Sequence, residues 1–340
     1  MDLELIETHK MPEKPPRVSV VIALFNGKKY IENAIESVLN QTLKDFELLV
    51  IDDCSTDDSF EFVKNRFDDS RIRLFKHEPN LGCAEVINDA IRIARGKYLQ
   101  ILAQDDALIP TALQTLFDIA EKSQADVLHS TKYLNALDPE FKIKDGLSAK
   151  ITSEFNPILG LQPIDFRQRV NGIGGGTFYP EWLNFCRIEF LRDKKIFIPD
   201  VRLALDVFFL IELMLLTERF VKSDIPVHVY RSLSTNSITN SSVESHFKTF
   251  LRDLPSMFEF MRSLFRREDA LTKISEAEQI DLTFRLITGI FKFSIQNVDP
   301  KFLTSDAADK IMIEVLSQPK FYSDEFIRNF IKIFCRLLSR

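Results

Sequence analysis

Cysteine and histidine are scarce in this sequence, and neither is spaced as in a metal-binding motif. No two of the four cysteines form a CxxC pair; they are Cys54, Cys83, Cys186 and Cys335. Neither a zinc knuckle nor a disulfide framework is therefore indicated. The five histidines show no HExxH or other ligand spacing. These absences are consistent with a reducing cytosol.

Long apolar runs and an excess of positive charge are also missing. No apolar run approaches the roughly 18 residues of a membrane-spanning helix, and the polar N-terminus lacks the apolar stretch of a signal peptide. The formal net charge of −6 argues against a broad nucleic-acid-binding surface, which would be basic. We therefore expect a cytoplasmic protein that neither spans a membrane nor binds nucleic acid.

The sequence does contain enough apolar residues for a large core. Of its 340 residues, 45% are hydrophobic and 28% are charged, as in a globular protein. The 30 phenylalanines are most simply explained as core residues. This length predicts either one large domain with an appendage or two domains.

Residues 18–58 hold one strand–helix–strand pattern. The apolar run 18–24 ends at Phe25, and apolar residues with helical spacing follow it. A second apolar run then leads into a polar turn that contains Asp52 and Asp53. Because parallel strands end at the same edge of a sheet, we expect both strand ends to face one crevice. Open α/β sheets bind their ligands in such a crevice.

The alternation of strand and helix patterns continues to about residue 130. The predicted strands are 18–24, 47–52, 72–76, 97–102 and 126–130. The predicted helices are 28–40, 57–67, 83–95 and 110–123, with another near 204–217. This alternation predicts an α/β fold, in which helices cover both faces of a mostly parallel sheet.

The chain is predicted to have three parts. Residues 1–16 contain three prolines and resemble a loose leader. Residues 17–240 contain the α/β pattern. From about residue 243 the apolar spacing is helical only, which predicts an all-helical C-terminal extension over 241–340.

The ordered motifs of the α/β part resemble those of family 2 glycosyltransferases with the GT-A fold. In chain order they are VSVVIALFN at 18–26, SVLNQT at 37–42, FELLVIDD at 46–53, NLG at 80–82 and LAQDD at 102–106. The resemblance is clear over residues 17–130 and weaker to about 240. It implies a Rossmann-like domain that transfers a sugar from a nucleotide-sugar donor with inversion at the anomeric carbon.

The resemblance also implies where the donor binds. Asp52 matches the aspartate that accepts the imide N–H of uracil, a contact that suits an acceptor-only carboxylate. Phe25 is expected to stack near the base. The other positions expected at the donor are Ala23, Asn26, Asp53, Gly82 and Gln104. The alternative is that Asp52 and Asp53 serve only turn and helix-capping chemistry.

The LAQDD motif stands where the family carries LDSDD and binds a divalent metal. Asp105 matches the direct metal ligand, whereas Ala103 replaces the first family aspartate. Mn²⁺ or Mg²⁺ binds few carboxylates together with phosphate oxygens and water, so Asp105 and the donor diphosphate are sufficient ligands. The ion would act as a Lewis acid on the leaving group. The alternative is that Asp105 and Asp106 only start the following helix.

Asp206 is the expected general base. Residues 203–213 resemble the family's helix with a Glu-Asp pair, and Leu205 stands at the glutamate position. A lone acid ahead of an apolar run is desolvated, which raises its pKa and suits a base. The alternative role of Asp206 is a helix N-cap, and Asp200 and Glu181 are the alternative bases.

Two later motifs are less specific. Residues 172–177 are glycine-rich but lack the strand-to-helix setting of a dinucleotide-binding loop. They form either an ordinary loop or a segment whose backbone approaches a sugar or phosphate. Tyr230 and Arg231, followed by 237–239, resemble a closing segment of the family. Arg231 is then expected to pair with the diphosphate.

Residues 326–340 carry an apolar face beside a basic stripe. The basic residues recur every four positions as Arg328, Lys332, Arg336 and Arg340. One interpretation is a peripheral helix that contacts an anionic membrane surface, which would suit a lipid-linked acceptor. The other is a helix that packs on the rest of the extension or on a second subunit in a homo-oligomer.

These motifs together predict an inverting, metal-dependent transferase that moves one sugar from a UDP-sugar to a hydroxyl of a sugar or lipid-linked sugar. Such an enzyme would serve the assembly of surface polysaccharide or glycolipid. No QxxRW motif is present, which favours single addition over polymer synthesis. Nucleotidyl transfer would require a GxGTR-like loop where residues 24–27 read LFNG. The non-enzyme alternative is a degenerate transferase that acts as a binding or assembly module, as Ala103 and Leu205 suggest.

Overall fold

The computed structural model describes residues 4–6, 14–136, 162–163, 165–172, 180–199, 201, 204–231, 243–294, 310–311 and 314–315. The chain divides by its contacts into two units. The first unit holds Met1–Arg169, Phe178–Ile198 and Asp206–Thr235. The second unit holds Val170–Thr177, Pro199–Leu205 and Asn236–Arg340. The predicted division into 1–16, 17–240 and 241–340 stays a prediction.

The strands of the first unit form where short apolar runs are bounded by turn residues. They are β1 (Glu4–Ile6), β2 (Val18–Leu24), β3 (Phe46–Asp52), β4 (Ile72–Lys76), β5 (Tyr98–Ala103), β6 (Ala107–Leu108), β7 (Val127–Ser130), β8 (Leu134–Ala136), β9 (Gln162–Pro163), β10 (Asn184–Arg187), β11 (Phe220–Ser223) and β12 (His228–Arg231). Every residue of β3 is buried, and β2 is nearly so. Such strands are covered by helices on both faces.

The helices along this part of the chain are mostly amphipathic. They are α1 (Ile31–Leu39), α2 (Ser59–Arg66), α3 (Cys83–Ile93), α4 (Ala112–Ser123), α5 (Phe166–Gly172), α6 (Ile188–Asp193) and α7 (Leu205–Leu216), with a 3₁₀ turn at Glu181–Leu183. In α1 the buried residues include Ile31, Ala34, Ile35 and Val38, the spacing of one helical face. By contrast, α7 is buried all round from Phe208 onward, as a helix that is apolar on every side must be.

The described strands of the first unit form two sheets. The larger has the order β1-β4-β3-β2-β5-β10-β7-β11-β9, and the smaller has the order β6-β12-β8. In the larger sheet β2, β3, β4, β5, β7 and β11 run in one direction. The remaining strands β1, β9 and β10 run against their neighbours. The predicted mostly parallel α/β sheet is therefore confirmed.

The predicted elements between residues 18 and 130 are all present, with ends within three residues of the prediction. The predicted helix near 204–217 is α7. The sequence did not predict β10, which pairs antiparallel with both β5 and β7. The pairing inserts one reversed strand into the sheet and places the 3₁₀ turn before β10 close to the ends of the parallel strands.

The second unit contains only helices among its longer described elements, as predicted. They are α8 (Val243–Phe265), α9 (Glu268–Leu271) and α10 (Glu276–Ser294). The ring of Phe258 packs edge-on against Phe284, with ring centroids 6.1 Å apart. None of the helices within the described ranges is both long enough and apolar enough to cross a membrane. The amphipathic pattern at 326–340 lies outside these ranges.

Candidate active site

Four parallel strands end side by side at one edge of the sheet, which we call the carboxyl edge. In register, Leu24 of β2 lies opposite Asp52 of β3, and Asp52 lies opposite Lys76 of β4. On the other side of β2, Ala23 lies opposite Ala103 of β5. The turns that follow β2, β3 and β5 are therefore neighbours, as the sequence predicted.

Asp52 is fully buried at the end of β3, and its two carboxylate oxygens differ. Oδ2 accepts a hydrogen bond from the backbone N–H of Ser55 at 3.0 Å. Oδ1 has no hydrogen-bond partner in the part of the chain that the structure describes. Burial raises the pKa of Asp52. Since a buried acceptor without a partner costs free energy, Oδ1 is suited to an N–H group of a ligand. Turn chemistry accounts for Oδ2 only.

Asp53 directs its carboxylate toward the loop after β4. Its Oδ1 accepts the backbone N–H of Leu81, and its Oδ2 accepts that of Gly82, both at 2.8 Å. The side chain of Asn80 donates to the Asp53 carbonyl at 2.7 Å. Gly82 has a φ of 89°, which glycine adopts without strain. Asp53 therefore shapes the loop that carries Gly82, and its predicted contact with the nucleotide stays a prediction.

Asn26 ties the turn after β2 to the turn after β3. Its Oδ1 accepts the backbone N–H groups of Thr56 at 2.8 Å and Asp57 at 3.2 Å, and the Thr56 hydroxyl at 3.2 Å. Its own N–H donates to Ser55 Oγ at 3.0 Å. The φ of Asn26 is 50°, a left-handed conformation that asparagine tolerates better than most residues.

Gln104 holds Phe25 by both of its backbone groups. The Phe25 N–H donates to Gln104 Oε1, and Gln104 Nε2 donates to the Phe25 carbonyl, each at 3.0 Å. Gly27 makes room for this pair, since a Cβ there would lie 2.1 Å from Oε1. The Phe25 side chain is 44% exposed. An aromatic ring is thus presented at the carboxyl edge on a fixed backbone.

The two aspartates of the LAQDD turn have different surroundings. Asp106 is buried, with Oδ2 2.8 Å from His228 Nε2, while Oδ1 accepts the Arg231 backbone N–H at 2.8 Å. Asp105 is half-buried, and its carbonyl oxygen accepts Arg231 Nε at 2.8 Å. Because α4 begins only at Ala112, the alternative in which these aspartates start that helix is wrong.

Arg231 braces the same turn from β12. Its side chain is buried, and its guanidinium lies over the ring of Tyr30 at 5.2 Å from the ring centroid. The structure therefore brings Arg231 next to Asp105. Its predicted pairing with the diphosphate stays a prediction.

Asp105 is the carboxylate whose place best fits a metal ligand. The described residues contain no group of three or more His, Cys, Asp or Glu side chains arranged to hold an ion. A hard divalent ion does not need such a group when phosphate oxygens and water complete its ligands. Asp105 is half-buried and supplies a carboxylate of the kind that such an ion prefers. The Asp106 carboxylate binds His228 and Arg231.

Trp182 joins the LAQDD turn to the 3₁₀ turn that precedes β10. Its ring stacks on His228 with centroids 3.9 Å apart, and on Tyr230 with centroids 5.8 Å apart. Tyr133 packs edge-on against both Trp182 and Tyr230. Because His228 also binds Asp106, these contacts fix Glu181, the residue before Trp182, beside the turn.

Asp206 and Glu181 are two carboxyl groups whose pKa values are raised. Asp206 lies in the first turn of α7, and its Oδ1 accepts the N–H of Val207 at 2.9 Å. The helix begins at Leu205, so Asp206 is not its N-cap residue. Burial raises the pKa of Asp206. Burial raises the pKa of Glu181 as well, and the charges of Asp206 and Asp106 raise it further.

Electrostatic interactions connect these acids across the carboxyl edge. The charges of Glu181 and Asp53 both raise the pKa of the Cys83 thiol, whose side chain is exposed. The pKa of Glu181 is in turn raised by the charges of Asp206 and Asp106. The predicted base is thus near the LAQDD turn. Sequence analysis named Glu181 only as an alternative base and did not place it beside Asp206.

Sequence analysis missed His77, which directly follows β4. Its two ring nitrogens each lie 2.9 Å from a carboxylate oxygen, one of Asp53 and one of Asp89. The strand register could have indicated the contact with Asp53. Asp52 lies opposite Lys76, and the residues that follow them are Asp53 and His77. Asp200 and the segments 173–177 and 237–239 lie outside the described residues.

A family model described as glycosyl transferase family 2 matches residues 19–174. The matched segment includes the turns after β2, β3 and β5, together with the loop that carries Gly82. It ends before Glu181 and Asp206.

Two curated relatives resemble between 34% and 54% of the chain. A "GalNAc(5)-diNAcBac-PP-undecaprenol beta-1,3-glucosyltransferase" from Campylobacter jejuni is 35% identical over 202 residues, 54% of this chain and 63% of that protein. A "UDP-Glc:alpha-D-GlcNAc-diphosphoundecaprenol beta-1,3-glucosyltransferase" from Escherichia coli is 35% identical over 117 residues, 34% of this chain and 46% of that protein. The chain spans less than two thirds of the length of the curated relatives it matches.

Among solved structures, the chain resembles TarS residues 1–349 from S. aureus in complex with UDP-GlcNAc. The TM-score is 0.60 at 18% identity, over 88% of this chain and 81% of that chain. At this identity the likeness establishes the fold, which is the GT-A arrangement of a mostly parallel sheet flanked by helices.

Proposed function

We propose that this chain, which belongs to glycosyl transferase family 2, transfers one sugar from a UDP-sugar to a hydroxyl group of a sugar acceptor. The proposal includes a divalent metal and inversion at the anomeric carbon. The observation that carries the choice of donor is the buried Oδ1 of Asp52, which has no partner among the described residues. The TarS relative was solved with UDP and with UDP-GlcNAc.

Asp52 and Phe25 would bind the uracil. A uracil imide N–H is a single donor of the kind that Asp52 Oδ1 lacks. Phe25, whose side chain is exposed, directly follows Leu24, the residue opposite Asp52 in the sheet. Gln104 fixes the Phe25 backbone, and Asn26 fixes the turn after β3. The protein thereby offers a preformed site, which lowers the ordering cost of binding.

Asp105 would hold the metal together with phosphate oxygens of the donor. Bound Mn²⁺ or Mg²⁺ would supply Lewis-acid stabilisation of the departing diphosphate. Arg231 keeps the turn in place through the Asp105 carbonyl and the buried Asp106. Asp106 is in this account a structural residue, because both of its oxygens are used inside the protein.

Asp206 would remove the proton from the acceptor hydroxyl. Burial raises its pKa toward the working pH, where a carboxylate is a more effective base. The charge of Asp206 raises the pKa of Glu181, so one of the two carboxyl groups tends to keep its proton, and we assign the ionised form to Asp206. A single displacement follows, in which the acceptor oxygen bonds to the anomeric carbon, the bond to the diphosphate breaks, and the proton passes to Asp206.

The acceptor is proposed to be a sugar carried on a polyprenyl diphosphate. The names of the Campylobacter and Escherichia relatives describe acceptors of this class. The product would then enter the assembly of a surface polysaccharide or glycolipid. The acceptor hydroxyl would have to reach Asp206 and Glu181 from the side opposite the leaving group.

The proposal is tested by a nucleotide-sugar panel with Mn²⁺, run on the full chain and on Asp52→Asn. UDP-sugars should be turned over or hydrolysed in preference to GDP-sugars, and UDP should stabilise the wild type against heat. Asp52→Asn should lose on the order of tenfold in UDP affinity, as expected for a charge-assisted hydrogen bond. Binding of UDP without any turnover would indicate a binding module instead. Equal response to all nucleotides would refute the assigned base contact.

A further inference from the structure

The loop at 80–82 is held by a buried chain of charged groups. Its backbone N–H groups at Leu81 and Gly82 donate to the two oxygens of Asp53. Behind Asp53 lies the His77 ring, and behind that ring lies Asp89, with 2.9 Å between each ring nitrogen and its carboxylate oxygen. The side chains of His77 and Asp53 are only 2% and 5% exposed, so water does not compete for these contacts.

The two contacts of His77 determine its charge. A neutral imidazole carries one N–H and one lone pair, so it can donate to only one of two ionised carboxylates. Its other nitrogen would then set a lone pair against a carboxylate oxygen. Two short contacts to two carboxylates are satisfied together only when both ring nitrogens carry a proton. With both carboxylates ionised, the geometry therefore favours an imidazolium ion in the interior.

The electrostatics of the cluster agree with this geometry. Burial alone would lower the pKa of His77, but its hydrogen bonds to Asp53 and Asp89 outweigh burial and raise it to about 9. Burial alone would raise the pKa of Asp53, but the bonds from His77, Leu81 and Gly82 lower it. On the outer side, Arg92 donates to Asp89 and to Glu85, each at 2.6 Å.

We infer that His77 is a positioning residue for nucleotide binding, which acts as an imidazolium by fixing Asp53 and through it the loop that carries Gly82. The inference rests on the proposed function in taking this loop as part of the donor site. His77 itself touches no ligand in this account. It is separated from the loop by one carboxylate, and its loss would let that carboxylate turn away from Leu81 and Gly82.

The test compares His77→Gln with His129→Gln in the full chain. His129 is an equally buried histidine of β7, and its Nδ1 lies 2.9 Å from Asn184 Oδ1. Amide hydrogen exchange at Leu81 and Gly82 is measured first, because it reports the loop without any ligand. We expect exchange at least about tenfold faster in His77→Gln only, as one charged hydrogen bond is worth that factor.

Nucleotide binding is measured next, by calorimetry with UDP and by kinetics with the UDP-sugar that is turned over. His77→Gln should weaken UDP binding roughly tenfold and raise KM, while kcat at saturating donor stays within about threefold. The wild type should also lose UDP affinity as the pH rises through about 9, more than His77→Gln does. Titration of uracil itself cancels in this comparison, because both proteins meet the same ligand.

Asp89→Asn is the second variant, in case His77→Gln does not fold. The side chain of Asp89 is 17% exposed, so the change is milder, and the same effects should appear with smaller size. Unchanged exchange at Leu81 and Gly82 in both folded variants would overturn the inference. Faster exchange in a protein whose wild type binds no UDP would support the positioning role and reject the proposed donor.

Discussion

The side-chain amide of Gln104 forms two hydrogen bonds with the backbone of Phe25, one in each direction and each 3.0 Å long. The pair joins the turn after β2, which presents an aromatic ring, to the turn after β5, which carries Asp105. The proposed base-binding and metal-binding parts of the donor site are thus linked by one side chain.

Gly27→Ala should break this link. A Cβ at position 27 would lie 2.1 Å from Gln104 Oε1 and must displace the amide from Phe25. We expect about 1–3 kcal/mol lower unfolding free energy, as for an overpacked site, together with weaker UDP binding. Chemical denaturation and calorimetry measure the two effects.

Gly289→Ala is the matched control for that variant. Gly289 lies inside α10, and a Cβ there would meet nothing within 4 Å. Alanine should therefore raise the unfolding free energy by about 0.5–1 kcal/mol and leave UDP affinity unchanged. If both glycine variants changed stability with the same sign, the steric argument for Gly27 would fail.

Phe25→Ala should weaken UDP binding while leaving the unfolding free energy nearly unchanged. The side chain is 44% exposed, so its removal should change the unfolding free energy by no more than about 0.5 kcal/mol. UDP affinity should fall by on the order of tenfold through loss of stacking. Leu271→Ala, at a side chain 47% exposed in the second unit, should change neither quantity. Unaltered UDP affinity in Phe25→Ala would remove this residue from the donor site.

Substitutions of the two aspartates of the LAQDD turn should have different effects, one on turnover and the other on stability. Asp105→Asn should abolish Mn²⁺-dependent turnover with little change in the melting temperature. Asp106→Asn should cost on the order of 1–3 kcal/mol of stability, because it weakens a buried hydrogen bond to His228. A metal titration of activity and a thermal melt of each variant decide the matter. The opposite pattern would mean that the metal-ligand assignment is reversed.

Asp206→Asn should lower kcat by on the order of a hundredfold or more, as for loss of a general base, and should leave UDP affinity unchanged. In the wild type kcat should fall as the pH drops through the raised pKa of Asp206, since only the ionised carboxylate accepts a proton. Glu181→Gln, which mimics the protonated acid, should keep this fall in kcat at low pH. If the fall disappeared in Glu181→Gln, Glu181 would be the base.

The same two carboxyl groups should reduce stability at neutral pH. A carboxyl whose pKa is raised on folding binds its proton more tightly in the folded state, so its destabilising effect grows as the pH rises above the unfolded value. Asp206→Asn and Glu181→Gln should therefore each raise the unfolding free energy at pH 7, on the order of 1 kcal/mol. The gain should shrink as the pH falls below about 4, where the wild-type groups become protonated in the unfolded state as well.

The sequence predicted the first part of the fold closely because its signals there are local. The runs at Val18–Leu24 and Phe46–Asp52 and the spacing of α1 each depend on neighbouring residues. By contrast, β10 is only four residues long, Asn184–Arg187, and it becomes a strand because β5 and β7 pair with it. Such a long-range pairing does not produce a periodic pattern of apolar residues in the sequence.

The site was predictable by position but not by partner. The motifs singled out Asp53, Gln104 and Arg231, yet they did not reveal that each binds protein groups across the carboxyl edge. Glu181 reaches the neighbourhood of Asp206 only through β10 and the stacked ring of Trp182. These relationships arise from tertiary packing, which a strand-by-strand interpretation does not contain.

The three hydrogen bonds that Asn26 accepts from Thr56 and Asp57 have a consequence for how a donor would be discriminated. Two turns joined in this way would resist moving apart to admit a purine in place of a pyrimidine. Selection between bases would then operate by exclusion of size as much as by attraction to Asp52. Asn26→Ala removes these hydrogen bonds. We expect this variant to accept a wider range of nucleotides, with a smaller change in its affinity for UDP.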